Sequence, residues 1–343
     1  MTYRLLTHSG CIDGFCSAFV VKKYWKYIIK DTTITEKDIQ EAEILPLFPS
    51  DVQSDQFQST AKDIVVDLSK PKGDVLFWCD HHTTNKPDKI AHKNYFWEAT
   101  PSCARLLLDI AVKNGLKLSE ELQQFREAID KIDGAEYSKQ EITDCYYQPK
   151  DWNNLSPLQK LHALGAMFNT RDRNLNQEIF KTLLTSSLQE TPLSSKALWQ
   201  LYPAMYFRAQ LQSYQEWRAH VDAYVNYDEA SKCAIQDDRK VGFSKGIADR
   251  FYLYFKYPQA SYTFNIKPID EEMARIGLGS NIFQRERCKV DLGKICMEVG
   301  RRFGQGSGGG HKAVGGATIL LSKADLAREY VLEKLKEGEK SSK

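Results

Sequence analysis

Three short segments carry side chains of the kinds that hold divalent cations. Asp80-His81-His82 directly follows an apolar run. A carboxylate and two imidazoles at a strand end can hold a metal and still face a substrate, although the tripeptide alone reads equally well as a polar turn. In His8-Ser9-Gly10-Cys11-Ile12-Asp13-Gly14, a turn between the first strand and first helix would set His8, Cys11 and Asp13 on one rim. Gly10 and Gly14 would let the backbone bend there and approach a ligand. Asp67 ends a further apolar run, and Asp130 and Asp133 lie at a helix end beside Gly134. Singly, each of these aspartates is more often a cap or turn former. Gathered together, imidazoles and carboxylates make a cage for two cations roughly 3.5–4 Å apart, which can activate a bridging water and offset charge developing on a phosphate.

A second segment, Gly304-Gln305-Gly306-Ser307-Gly308-Gly309-Gly310-His311-Lys312, follows Arg301, Arg302 and Phe303. Successive glycines can converge their backbone N–H groups into an anion nest, and His311, Lys312 and the arginines add donors. A flexible linker is the alternative, but linkers join domains, and this stretch lies between a periodic helix and an apolar strand. The order is not that of a Walker A loop. The chemistry favours a clamp for phosphate or nucleotide.

The elements that must position these groups can be read from periodicity. Strands are expected at 3–7, 43–47, 64–68 and 75–80, with helices at about 15–29, 102–112 and 119–132. Short apolar runs separated by helices indicate a parallel sheet covered on both faces. Function then gathers at the carboxyl ends of its strands, where His8, Asp67 and Asp80 fall. Residues 155–227 read as almost wholly helical, broken at Pro192 and Pro203. Beyond them come strands within 232–243, a helix at 246–257, and strands at 260–268 and 274–280. A helix at 291–303 has Leu292, Ile295, Val299 and Phe303 on one face and is stopped by Gly304. A strand at 317–321 and a helix from Ser322 to about Lys336 follow, with a polar tail from Gly338. The expected organisation is an α/β domain at 1–150 holding the metal ligands, a helical connector at 151–228, and a smaller α+β domain at 229–343 that binds substrate.

The chain has 343 residues, 42% of them hydrophobic and 27% charged, a globular mixture large enough for two domains. Lys+Arg 47 against Asp+Glu 45 leaves a net charge of +2, so any grip on anions is local and long duplexes are disfavoured as partners. No window approaches the roughly 18 apolar residues of a membrane span. The first residues turn polar too soon for a signal peptide. The eight cysteines form no CxxC pair, which suits a reduced, cytoplasmic protein with small apolar thiols in its cores. His92, His162 and His220 read as structural or exposed, the aromatic residues from Trp199 to Tyr227 as packing, and Arg285, Arg287 and Lys289 as a solvated face.

Taken in order, these motifs resemble the DHH-type phosphoesterases with a C-terminal DHHA1 domain, the superfamily of the nanoRNases and RecJ. The first motif, the Asp after a strand, Asp80-His81-His82, a later Asp and Gly308-Gly309-Gly310-His311 with Gly315-Gly316-Ala317 carry the resemblance. It spans roughly residues 1–145 and 230–330 and leaves the connector uncovered. It implies two divalent cations, Mn²⁺ first and Mg²⁺ or another divalent next. His8 and Asp13 would bind one cation, and Asp67 would bridge both, helped by His81 and Asp133 (Asp130 as alternative). Asp80 would orient a neighbouring imidazole, and His82 would touch the scissile phosphate. Arg301, Gly308, Gly309, Gly310, His311 and Lys312 would hold the far part of the substrate across a cleft between domains. Many relatives have Asp where Cys11 stands. A thiolate is softer than Mn²⁺ prefers, which leaves the role of Cys11 open. The implied activity is hydrolysis of phosphodiester or phosphomonoester bonds in short single-stranded oligonucleotides or nucleotides. The alternatives are a nucleotide phosphatase or exopolyphosphatase, a catalytically reduced nucleotide sensor, and an accessory protein akin to the C-terminal part of alanyl-tRNA synthetase. Relatives of this kind are often dimers, so a homodimer is open.

Overall fold

The computed structural model describes residues 2–54, 57–90, 92–146, 154–167, 173–196, 214–218, 221–240 and 251–340. The chain divides into two compact units, one of Met1–Tyr137 and Thr143–Ala209, the other of Ser138–Ile142 and Gln210–Lys343.

The first unit is built on strands β1 (Arg4–His8), β2 (Glu43–Leu47), β3 (Asp63–Val66), β4 (Phe77–Asp80) and β5 (Tyr95–Trp97). They lie in the order β2-β1-β3-β4-β5, and every pairing is parallel. All residues of β3 and β4 are buried, as the continuous apolar runs of a doubly covered sheet require. The last strand, β5, was not expected. Its three residues are all half-buried, and a strand that short leaves almost no periodic signal. Helix α1 (Ile12–Ile28) begins three residues before the expected start, so Asp13 and Gly14 belong to its first turn and not to a bend. Gly14 is there for contact: a Cβ on it would meet the His8 carbonyl oxygen at 2.2 Å. Thr7 Oγ1 donates to the Gly14 carbonyl at 2.5 Å. Phe15 and Phe19 of α1 are fully buried and meet Phe180 and Phe125 edge-on. Short helices α2 (Glu36–Gln40) and α3 (Pro49–Gln53) flank β2. The unit is completed by α4 (Cys103–Lys113) and α5 (Glu120–Asp133), capped by Ser102 and Ser119. Helix α6 (Lys139–Tyr146) spans the boundary between the units.

Within the expected all-helical stretch, α7 (Pro157–Met167) and α8 (Arg173–Ser187) are helices. Residues 197–213, with Trp199 and Pro203, and His220 lie outside the described residues. Its end is not helical: Val225–Asp228 is strand β6, paired with β7 (Cys233–Asp237). Val225 and Tyr227 pack on a small core of Ala234, Leu253 and Ala260, and that sheet contact overrides the helical reading. The expected helix at 246–257 is described only in α9 (Tyr252–Lys256).

The second unit adds β8 (Tyr262–Pro268), β9 (Met273–Ser280), β10 (Gly308–His311) and β11 (Val314–Leu320) to give the order β10-β11-β9-β8-β7-β6. Only β7–β8 is parallel, so the sheet is mixed. Helix α10 (Leu292–Phe303) buries Leu292, Ile295 and Val299 with Phe264, Ile276, Leu278 and Ile319. Helix α11 (Ala324–Lys340) buries Ala327, Val331 and Leu335 in the same core. It continues through the expected tail to Lys340, where Gly338 lies against Val290. Six of the eight cysteines are buried, and all eight are free thiols.

The glycine-rich segment departs from the expected nest. Gly308–His311 is a strand at the sheet edge, in register with Val314–Ala317. Its glycines answer a packing demand, since α10 lies directly on the hairpin. A Cβ on Gly308 would stand 2.2 Å from the Cys296 carbonyl oxygen, and one on Gly315 would stand 2.8 Å from Cys296 Sγ. From the helix side, a Cβ on Gly300 would stand 2.4 Å from the Ser307 carbonyl oxygen. Overpacking of this kind costs about 1–3 kcal/mol, whereas Gly316 has 3.5 Å of room before its nearest neighbour. Gly300→Ala is therefore expected to lower stability by about 1–3 kcal/mol and Gly316→Ala by less than about 0.5 kcal/mol. Urea titration of both variants checks the contrast.

Candidate metal centre

The strand order of the first unit reverses at β1 and β3, which are neighbours although β2 lies between them in the chain. At such a switch point the connections leave in opposite directions and open a crevice at the carboxyl ends. His8 ends β1, Asp67 directly follows β3 and Asp80 ends β4. Asp67 adopts φ of 56°, in the left-handed region that aspartate tolerates better than most residues at a cost of about 1–2 kcal/mol. This turn is held by the Asp67 N–H donating to the Cys79 carbonyl at 3.0 Å.

Two sets of donor atoms, each within 4.8 Å of one another, share Asp67: Asp13, Asp67 and His81, and His8, Asp67 and His82. His81 is the hub of the first. Its Nε2 is 3.4 Å from an oxygen of each of Asp13, Asp67 and Asp133. Its Nδ1 is 3.0 Å from the Thr100 carbonyl. A carbonyl can only accept, so Nδ1 carries the proton and Nε2 is aimed at the carboxylates. In the second set, His8 Nδ1 is 3.4 Å from Asp67 Oδ2. Both Asp67 oxygens and His8 Nδ1 are buried and make no hydrogen bond to the described residues. Buried carboxylate oxygens aimed at imidazole nitrogens are an arrangement a divalent cation satisfies.

The charges agree. Burial, with Asp67 and Asp133 close by, holds the Asp13 carboxyl well above the usual carboxylate range. Burial also disfavours charge on Asp67, but contact with His8 and His81 outweighs it and keeps that carboxyl far below the usual range. Burial alone would strip the proton from His81, yet Asp67, Asp133 and Asp13 hold it on well above the ordinary range. That proton occupies the place a cation would take. Asp13 is further fixed by the first turn of α4, where the N–H groups of Cys103 and Ala104 donate to it at 2.7 and 3.0 Å. A helix N-terminus suits a carboxylate.

Asp80 is engaged elsewhere. Its Oδ1 accepts from the His81 N–H at 2.8 Å and meets His82 Nδ1 at 2.8 Å, and its Oδ2 accepts from Asn85 Nδ2 at 2.7 Å. Burial would lower the His82 pKa, but Asp80 and then Asp67 outweigh it and push it up to about 9. Asp130 stands apart from the cluster, accepting from Ser102 Oγ at 2.7 Å and from Arg105 at 2.8 Å. Of the two late aspartates, Asp133 is the one beside His81. Cys11 is half-buried and belongs to neither donor set among the described residues. Burial, then Asp67, Asp133 and Asp13, hold its thiol protonated well above its ordinary value. His92 is exposed, and His162 is buried against Tyr146.

Sequence reasoning missed Thr100, Trp97 (whose indole donates to the His82 carbonyl at 2.9 Å), Asn85 and the N-terminus of α4. The one related signal was the helix expected to start at Ser102. In the second unit, Gly308, Gly309, Gly310 and His311 form β10 and are half-buried. Arg301, at the end of α10, and Lys312, in the β10–β11 turn, are exposed.

No protein-family model matches the sequence, and no curated protein matches it. Solved structures do. PggH from Vibrio cholerae, a pGpG-specific phosphodiesterase, aligns with 98% of this chain and 100% of its own, at 19% identity and a TM-score of 0.61. The DHH domain of PF0399 aligns over 98% of this chain and 87% of its own, at 14% identity and TM-score 0.53. RecJ from Thermus thermophilus, solved with Mn²⁺, aligns over 97% of this chain but 52% of its own, at 12% identity and TM-score 0.54. The chain has the DHH fold. The DHH tripeptide that suggested it sits at the end of β4, and the fold class expected from periodicity, a parallel-sheet α/β unit followed by a smaller α+β unit, is the one observed. No helix among the described residues is long and apolar enough to cross a membrane.

Because Asp13 binds its proton more tightly in the folded chain, stability of the cation-free protein falls as pH rises from the ordinary carboxylate range through the raised value. A cation displaces that proton, so its stabilisation grows with pH. At a fixed Mn²⁺ concentration a hundredfold above its Kd at pH 7.5, the fold is expected to gain about 2.7 kcal/mol at that pH, with a smaller rise in Tm at pH 5.5 and reversal by EDTA. Asp67→Asn is expected to abolish most of the rise. An equal rise at both pH values would contradict the assignment of Asp13.

Proposed function

We propose that this chain is a divalent-metal-dependent phosphohydrolase acting on phosphodiester or phosphomonoester bonds of short oligonucleotides or nucleotides. The observation that carries this reading is the pair of donor sets sharing Asp67, whose two oxygens are buried without a hydrogen bond to the described residues. In it, His81, Asp13, Asp67 and Asp133 would hold one cation and His8 with Asp67 would hold the second, Mn²⁺ or Mg²⁺. Bound there, the pair supplies a water of lowered pKa and positive charge against the phosphate. The protein does the rest. Thr100 fixes the His81 tautomer, α4 steadies Asp13, and Asp80 turns the His82 ring. Asp80 and then Asp67 favour the proton on His82 and push its pKa up to about 9, so this ring can donate to a phosphate oxygen as negative charge grows on it. In this reading Asp80 positions His82, and His82, although its ring belongs to the second donor set, acts on the phosphate.

The likeness to a pGpG-specific phosphodiesterase along the full length of both chains favours a dinucleotide-sized substrate, and the net charge of +2 agrees with short anions over duplexes. The second unit is proposed to bind the remainder of the substrate with β10 (Gly308, Gly309, Gly310, His311), Arg301 and Lys312. A largely intact donor set favours turnover over a sensor role.

The test is phosphate or mononucleotide release with Mn²⁺ from 5′-phosphorylated dinucleotides, pentamers, a 3′-phosphorylated nucleotide and polyphosphate. Dinucleotides are expected to turn over fastest. His81→Ala is expected to lose more than about 100-fold in kcat/KM with its circular dichroism spectrum unchanged. Wild-type activity in that variant would remove the site.

A further inference from the structure

We infer that Asn85 is a positioning residue for the proposed reaction, acting on His82 through Asp80. The inference rests on the reading above and concerns one chain of contacts. Asp80 is fully buried, and its carboxylate is shared between two tasks. Oδ1 faces His82 Nδ1 at 2.8 Å and the N–H groups of His81 and His82 at 2.8 and 3.3 Å. Oδ2 accepts from Asn85 Nδ2 at 2.7 Å. The amide must present its nitrogen there, because its oxygen against a carboxylate would repel. Asn85 reaches this place because the chain makes a single 3₁₀ turn at Thr83–Asn85 directly after His82. The Asn85 N–H closes that turn by donating to the His82 carbonyl at 3.0 Å, and the same carbonyl accepts from the Trp97 indole. Main chain and side chain of His82 are thus both tied to Asn85, the first directly and the second through Asp80.

Two effects follow. With Oδ2 occupied, the carboxylate cannot rotate without losing a hydrogen bond in a buried place, so Oδ1 stays on His82 Nδ1. A carboxylate only accepts, so Nδ1 carries the proton and the opposite edge of the ring is the one offered to substrate. Saturation of Oδ2 also keeps Asp80 from turning toward cations held by its neighbours, which would otherwise compete for a buried oxygen.

Asn85→Asp keeps the shape and removes the donor, and Asn85→Ala removes the side chain. Using Mn²⁺ and a 5′-phosphorylated dinucleotide, each variant is expected to lose about 10–100-fold in kcat, with KM and Mn²⁺ affinity within about twofold of wild type. Because Asn85 acts through Asp80, adding Asn85→Ala to Asp80→Asn is expected to cost nothing further. Wild-type kcat in both variants, a loss confined to Mn²⁺ affinity, or additive losses in the double variant would overturn the inference. A second readout needs no turnover. In nitrogen-15 spectra of the cation-free protein, the His82 Nδ1–H resonance is expected to shift or broaden in Asn85→Asp. An unchanged resonance overturns the inference, whereas a shifted one beside an inactive wild-type chain would count against the hydrolase reading alone.

Discussion

Three carboxylates drawn to one imidazole nitrogen set the terms for the first unit. Asp13, Asp67 and Asp133 reach within 3.4 Å of His81 Nε2 from three separate elements, in surroundings where unshielded negative charges repel strongly. Such a cluster persists only if the rest of the fold over-determines it. The parallel sheet delivers His81 and Asp67, the first turn of α1 delivers Asp13, and the end of α5 delivers Asp133. The N-terminus of α4, a backbone carbonyl and a strained turn at Asp67 then restrain each group. The proton on His81 balances part of the charge until a cation takes its place.

Much of this was legible in the sequence, because motifs at strand ends depend on local order. Apolar runs placed β1, β3 and β4, and the carboxyl-end rule then put His8, Asp67 and Asp80 side by side. The choice between Asp130 and Asp133 could be argued only from the turn at Gly134. The structure explains why Asp133 is the neighbour of His81: Asp130, about one turn earlier in α5, is already engaged by Arg105 and Ser102. What the sequence did not reveal is mostly backbone. The Thr100 carbonyl and the N–H groups of Cys103 and Ala104 have no residue-type signature, and the three-residue β5 is too short for periodicity to register.

The glycine-rich segment teaches a different lesson. Its composition suggested a loop gathering N–H groups, and its first part, with Gly306 at φ 88°, is a turn. From Gly308 the same glycines form a strand because α10 leaves no room for side chains on that hairpin. Runs of glycine carry at least two meanings, close packing and anion binding, and composition cannot separate them. The close approaches around Gly300, Gly308 and Gly315 account for the packing. Binding belongs to the proposed function.

The way β1 and β3 adjoin has one more outcome. The excursion through α2, β2 and α3 leaves from one side of β1 and returns to the other; it is anchored by the ladder of β2 on β1, by Lys22 donating to the Ile39, Gln40 and Ala42 carbonyls, and by Val52 in the core beside Leu6 and Val65. As long as those anchors hold, a change of loop length within the excursion is taken up at the flank of the sheet, and β1 stays beside β3.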